Sequence, residues 1–211
     1  MDKAKASKIA KITFLSVFIF LLTAVLLIYI FLNIYVSSKG IKVDRTKMLN
    51  DTTVELTDEQ LSILNFIETG SRKAKFKRLP LIMDAFSRAN YVAYLAAGCY
   101  VSKNSENKTM NTIERHFVEL GTWRYIVKKI PFRDCCNYVM SNIYCGYGII
   151  GLNEAAKKFY NKIPRELTKG EFISLSVVWL NPSYYDLDDP AKKERVQQKV
   201  NEIMNDYEKK K

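Results

Sequence analysis

Between Ile12 and Ser38 the chain carries no charged residue, and from Ile12 to Val36 it is almost entirely Leu, Ile, Phe and Val. At about 1.5 Å per residue, that run is longer than the roughly 30 Å hydrocarbon core of a bilayer. A cleaved signal peptide has an apolar region of only about 7–15 residues and ends in small residues. This run is too long, and no small-x-small site follows it. The sequence therefore predicts a retained transmembrane helix over 12–36 behind a cytoplasmic N-terminus of residues 1–11. Lys3, Lys5, Lys8 and Lys11 precede the span, while Lys39, Lys42, Arg45 and Lys47 follow it. The bias of positive charge that orients such helices is therefore nearly balanced.

Enough chain remains for one domain with a core of its own. The whole chain of 211 residues has a net charge of +11, and most of that excess lies beyond the span. A basic balance suits a membrane surface or phosphates. No basic-aromatic run or nucleic-acid motif is present, so nucleic acid is not expected as a partner. The cysteines Cys99, Cys135, Cys136 and Cys145 lack metal spacing. Cys135 and Cys136 sit in an apolar helical run, where a thiol acts as a small hydrophobe. Buried thiols are expected rather than a disulfide.

Residues 37–55 read as a polar linker. Thr57 with Gln60 is a capping-box pattern, and the helix it opens carries Leu61, Ile63, Leu64, Phe66 and Ile67. Glu68 follows four residues after Leu64, on the apolar face. Burial there would raise its pKa, as general acid–base work near neutral pH requires. The blander reading is a solvated Glu at a frayed helix end. Gly70 to Arg78 is a basic loop with Arg72, Lys73, Lys75, Lys77 and Arg78, either a solvated charge run or a contact for headgroups or pyrophosphate. Pro80 to Val101 reads as an apolar helix and Ser102 to Lys108 as a polar turn. Asn111 to Lys129 reads as a long helix with Ile113, Phe117, Leu120 and Val127 as its stripe. Glu119 lies on its flank with Arg115 four residues back and His116 three back. On pattern alone this is an ordinary helical ion pair worth a few tenths of a kcal/mol. Phe132 to Tyr144 is the next helix, after Pro131.

Cys145 to Gly151 places three glycines between two helical runs, which makes a turn rather than a helix interior. Leu152 to Asn161 reads as a short helix, broken at Pro164. Thr168 caps a nearly all-apolar helix to Trp179, with Glu171 completing a capping box. Asn181 and Pro182 stop it. The last segment, residues 188–211, is an amphipathic helix with Val196, Val200, Ile203 and Tyr207 on one stripe.

The stretch from Asn142 to Ala156, then Phe159 to Lys162, Leu167 to Glu171 and Leu180 to Tyr184, resembles the last two motifs of the peptidoglycan glycosyltransferases. These are the transglycosylase domains of class A penicillin-binding proteins and the monofunctional transglycosylases. Phe66 to Thr69 is similar to the family's Ile-Glu-Asp pattern, with Thr69 in place of Asp. Arg115 to Glu119 is similar to its Arg-Lys-x-x-Glu motif, with His116 in place of Lys. The spacing from Glu119 to Gly146 matches the family without a gap, and Cys135, Cys136 and Cys145 fall at positions that are usually apolar there.

The resemblance implies a mainly α fold: one transmembrane helix, then a lysozyme-like transglycosylase domain over 56–187, held outside the cytoplasm at the plasma or inner membrane. It implies polymerisation of a lipid-linked disaccharide-peptide into glycan strands, with release of undecaprenyl pyrophosphate. The implied catalytic residues are Glu68 and Glu119. Arg115, His116, Arg72, Lys73 and Asn142 would contact substrate. No cofactor is required; Glu119 would be the residue to help hold a Mg²⁺ or Mn²⁺ ion, whose preference is for oxygen ligands. The implied partners are the lipid-linked precursor, the membrane and other cell-wall synthesis proteins. The family's Gly-x-Ser-Thr-Ile-Thr-Gln-Gln motif is absent: the corresponding region, near Ser87 to Tyr100, is shortened and apolar. A degenerate transglycosylase fold that holds precursor or partner enzymes without turnover is therefore the alternative.

Overall fold

The computed structural model describes residues 3–73, 75, 76, 90–104 and 110–210, with side chains from residue 13 onward. Helix α1 runs Lys3–Lys39, followed by α2 (Arg45–Asn50), α3 (Asp58–Thr69), α4 (Tyr91–Asn104) and α5 (Thr112–Lys129). Then come α6 (Phe132–Asn142), α7 (Gly151–Tyr160), a 3₁₀ turn (Pro164–Glu166), α8 (Lys169–Leu180) and α9 (Pro190–Lys209). Among the described residues there is no strand, only an isolated bridge between Tyr144 and Ile150. The architecture is mainly α, as the sequence predicts. The first part of the helix expected over Pro80–Val101 (residues 80–89), the loop residues Lys77 and Arg78, and part of the expected turn after Ser102 lie outside the described residues.

The α1 segment Thr13–Lys39 is long and apolar enough to cross a membrane. Its side chains face outward, with Phe14, Leu22, Val25 and Phe31 all exposed. From Phe14 to Leu32 none of its side chains is buried, a surface that a bilayer would suit.

Helices α3, α7 and α9 pack around α8. Phe172 to Trp179 are buried without interruption, and a helix apolar on all sides belongs at the centre of a fold. Thr168 and Glu171 form the expected capping box at its start. Thr57 and Gln60 do the same for α3. Helices α4, α5 and α6 pack together, with Trp123, Tyr138 and Ile126 fully buried between them. All four cysteines are free, and Cys135, Cys136 and Cys145 are buried.

One segment departs from the sequence reading. The expected polar linker is part of the core: Val43, Met48, Val54 and Leu56 are buried. Its backbone is strapped to α6, where Ser141 Oγ accepts the amides of Thr53 and Val54 at 2.9 Å and Asn137 Oδ1 accepts that of Leu56 at 3.0 Å. Its apolar residues follow no helical or strand period, so pattern did not reveal them. The terminal helix α9 carries the apolar stripe that the sequence predicts. Val196, Val200, Ile203 and Tyr207 join the same core, and Tyr207 packs edge-on against Phe66 of α3 at 5.3 Å between ring centroids.

Candidate functional site

Glu68 occupies the last turn of α3, just before Gly70 adopts the left-handed cap conformation (φ 70°). The apolar face of α3 carries it inward, and its Oε1 is buried without a hydrogen-bond partner. Removal from water, with no cation to offset it, pushes the carboxyl up to about 7. The same charge acts on Tyr91 at the start of α4, whose phenol is pushed up first by burial and then by Glu68. Glu68 lines a cavity of about 530 Å³ with Phe66, Thr69, Leu180 and the α9 residues Lys199, Glu202, Ile203, Asp206, Lys209 and Lys210.

Glu119 lies midway along α5. Its side chain is 9% exposed and accepts a hydrogen bond from Arg115 Nε at 2.8 Å. His116 Nδ1 stands 3.7 Å from its other oxygen. The i,i+4 and i,i+3 spacings place all three on one helix face. The Arg115 and His116 side chains are both more than half exposed, which leaves their outer edges open to a ligand. Glu119 and Arg115 line a cavity of about 480 Å³ with Leu95, Cys99, Lys103, Asn142, Tyr144 and Ile150.

Asn142 therefore shares the Glu119 cavity. Its Oδ1 accepts from Lys103 Nζ at 2.5 Å, and its Nδ2 donates to the carbonyl of Tyr138 at 2.8 Å. Arg72 is elsewhere, stacked over Tyr207 with 3.9 Å to the ring centroid. Lys73 is exposed, and its carbonyl accepts from Asn65 Nδ2 at 2.9 Å. The loop thus folds back along α3 on the side of α9. The structure brings Arg115, His116, Glu119 and Asn142 together; Glu68 lines a different cavity, and Arg72 and Lys73 stand apart from the Glu119 group.

Helix α4 connects the two carboxylates. Tyr91 sits near Glu68, while Tyr94, Leu95 and Cys99 line the Glu119 cavity. Tyr91 and Tyr94 stack at 6.2 Å on the partly exposed face between them. The Transglycosylase family profile matches residues 101–208, just over half of the chain. The chain belongs to the transglycosylase family. In this transglycosylase the matched span holds Arg115, His116, Glu119, Asn142 and nearly all of α9; Glu68, Arg72 and Lys73 precede it. No curated protein is similar enough to be matched to the chain.

Sequence reading missed Lys103 and the α9 lysines. Lys103 follows Cys99 by four residues and so shares its face of α4. The α9 residues carried no local signal, since only the tertiary packing of α9 on α3 brings them to Glu68. Among the described residues no group of three or more His, Cys, Asp or Glu side chains could hold a metal ion. Arg115 takes up Glu119 Oε1, so a divalent ion at this carboxylate would have Oε2 alone to bind.

Arg115→Ala provides a check on this division of labour. Arg115 is half-exposed but its partner Glu119 is buried, so losing the pair leaves a buried carboxylate without this hydrogen bond, at a cost of about 1–3 kcal/mol. The melting temperature in detergent is expected to fall modestly, while binding of a pyrophosphate ligand weakens. A large loss of stability with unchanged binding would make Arg115 a structural residue.

Proposed function

We propose that this transglycosylase is a membrane-anchored peptidoglycan glycosyltransferase that polymerises lipid-linked disaccharide-peptide. The observation that carries this reading is the half-buried Glu68 carboxyl, whose Oε1 is buried without a hydrogen-bond partner and whose pKa burial raises to about 7. A base whose pKa lies near the working pH combines a useful ionised fraction with real proton affinity. In the proposed step the 4-hydroxyl of the incoming disaccharide attacks the anomeric carbon of the growing chain. Glu68 takes the hydroxyl proton as the new C–O bond forms. The bond from the anomeric carbon to undecaprenyl pyrophosphate breaks, with inversion. Arg115 stabilises the departing phosphates by its charge and His116 by hydrogen bonding. Glu119 keeps both side chains on one face of α5. Lys103 adds a further cation on the cavity's far side.

The apolar α1 helix supports anchoring beside a substrate that itself resides in the bilayer. The positive net charge favours approach to anionic lipids. The domain is proposed to stand on the extracytoplasmic side, where cell-wall partners would meet it.

A second reading is favoured by one specific observation. Glu68 and Glu119 line different cavities, and the polar motif that in the family contributes to the cleft is absent from the sequence. That combination suits a scaffold that binds precursor without turning it over. Labelled lipid-linked precursor given to the purified full chain separates the two. Polymer from the wild type but not from Glu68→Gln supports the enzyme. Saturable binding without polymer supports the scaffold, and neither polymer nor binding defeats both.

A further inference from the structure

Helix α1 does not end at the membrane. Its apolar residues face outward as far as Ile34, but from Asn33 one side turns inward: Asn33 and Val36 are buried against α5. Arg124 NH1 donates to Asn33 Oδ1 at 2.9 Å and to the Asn33 carbonyl at 3.2 Å. Tyr35 packs edge-on against Phe117 at 5.5 Å, and the Ile41 amide donates to Thr122 Oγ1 at 2.9 Å. Asn33 meets Arg124, Val36 meets Gly121 and Tyr35 meets Phe117, so α1 and α5 run antiparallel.

At the centre of this seam two backbones touch. A Cβ on Gly121 would lie 2.3 Å from the Val36 carbonyl oxygen and 2.5 Å from Gly40 Cα. One on Gly40 would lie 2.2 Å from the Gly121 carbonyl carbon. Neither glycine has a positive φ, so conformation does not demand them. A glycine inside α5 costs about 1 kcal/mol of helix propensity relative to Ala. The close approach is what this position gains in return. Arg124, 7% exposed, has no carboxylate among its described partners, and its Nε is buried without one. Its hydrogen bonds to Asn33 are what the buried guanidinium has.

We propose that Gly40, Gly121, Asn33 and Arg124 are positioning residues. They clamp α5 to the emerging anchor and hold the Glu119 cavity at a fixed height above the bilayer. This inference rests on the membrane-anchored transferase reading. Glu119 lies five residues along α5 from the Asn33 layer, about 8 Å at helical rise, and Arg115 about 14 Å. A pyrophosphate tethered to a lipid emerges within that distance of the hydrocarbon boundary. The clamp thereby substitutes rigid geometry for a search by a tethered domain.

The test has two parts. Spin labels at Ile34→Cys and Lys128→Cys, both exposed positions, are placed in the full chain with Cys99→Ser and reconstituted in vesicles. The other thiols are buried. A single narrow distance distribution is expected, broadened by Gly121→Val. With native cysteines, Gly121→Val is expected to slow polymerisation of a long-chain, bilayer-held precursor about 10- to 100-fold, the order expected for misplacement of reacting groups by about 1 Å. A short-chain, water-soluble precursor would lose less than about 3-fold. A broad distribution without the substitution, a narrow one with it, or equal loss on both substrates overturns the proposal. If the wild type polymerises neither precursor, the transferase reading fails, and the label distances still decide whether the clamp exists.

Discussion

Glu68→Gln is expected to slow polymerisation severely and to yield a protein more stable at pH 8 than the wild type. Loss of a general base typically slows a reaction by about 10²–10⁴-fold. The gain in stability follows from the direction of the shift. The carboxyl is raised from 4.5 to about 7 in the folded protein, whereas in the unfolded chain it ionises near its ordinary value. Between those values the folded state binds a proton that the unfolded state has released, so stability falls as pH rises through the window. Above pH 7 the full penalty applies, on the order of 3 kcal/mol at about 1.4 kcal/mol per pH unit. Gln keeps the side-chain shape without the charge, so its melting temperature should stay nearly level where the wild type declines. Thermal denaturation in detergent at pH 4.5 and pH 8 reads the difference. A parallel decline in both proteins would mean that Glu68 is not the group responsible.

Gly151→Ala is expected to be among the most damaging single changes outside the candidate site. Gly151 has φ 82°, and a Cβ there would lie 2.5 Å from the Ser141 carbonyl oxygen. That oxygen belongs to the last turn of α6, which the Gly151 region must approach closely; its amide donates to the Ile143 carbonyl at 2.7 Å. Left-handed strain of about 1–2 kcal/mol adds to overpacking of about 1–3 kcal/mol. Gly148→Ala provides the control. Its φ is 76°, but nothing lies within 4 Å of the added carbon, so only the strain remains. The two variants should differ by at least about 1 kcal/mol in chemical denaturation. Gly151→Ala should also weaken precursor binding, because Asn142, Ile143 and Ile150 line the Glu119 cavity. Equal stability of the two variants would contradict the close approach of α6 and α7.

The signals that were legible in the sequence are local. Thr57 and Thr168 announce their helices because a capping box is complete within four residues. The α5 face that carries Arg115, His116 and Glu119 follows from helical spacing. The burial of Glu68 follows from its register with Leu61 and Leu64. His116 shows where spacing stops being sufficient: its helical neighbour Trp123 is buried, while its own side chain is 61% exposed. The α5 angle alone does not locate the edge of the packed surface. Segment 40–56 has no period, so its place in the core depends on side-chain acceptors from α6. The wall that α9 builds beside Glu68 joins residues more than a hundred positions apart, and only tertiary packing creates it. The Gly40–Gly121 contact is equally silent, since each glycine alone reads as a weak point in a helix or linker.

The dependence of initial polymerisation rate on pH, measured with bilayer-held precursor for wild type and Glu68→Gln, tests the central claim most directly. A buried carboxylate acting as base predicts a wild-type rate that rises with pH through an apparent pKa of about 7, and a residual Glu68→Gln rate that lacks this limb. A wild-type limb near 4.5, or a limb near 7 that persists in Glu68→Gln, would contradict it.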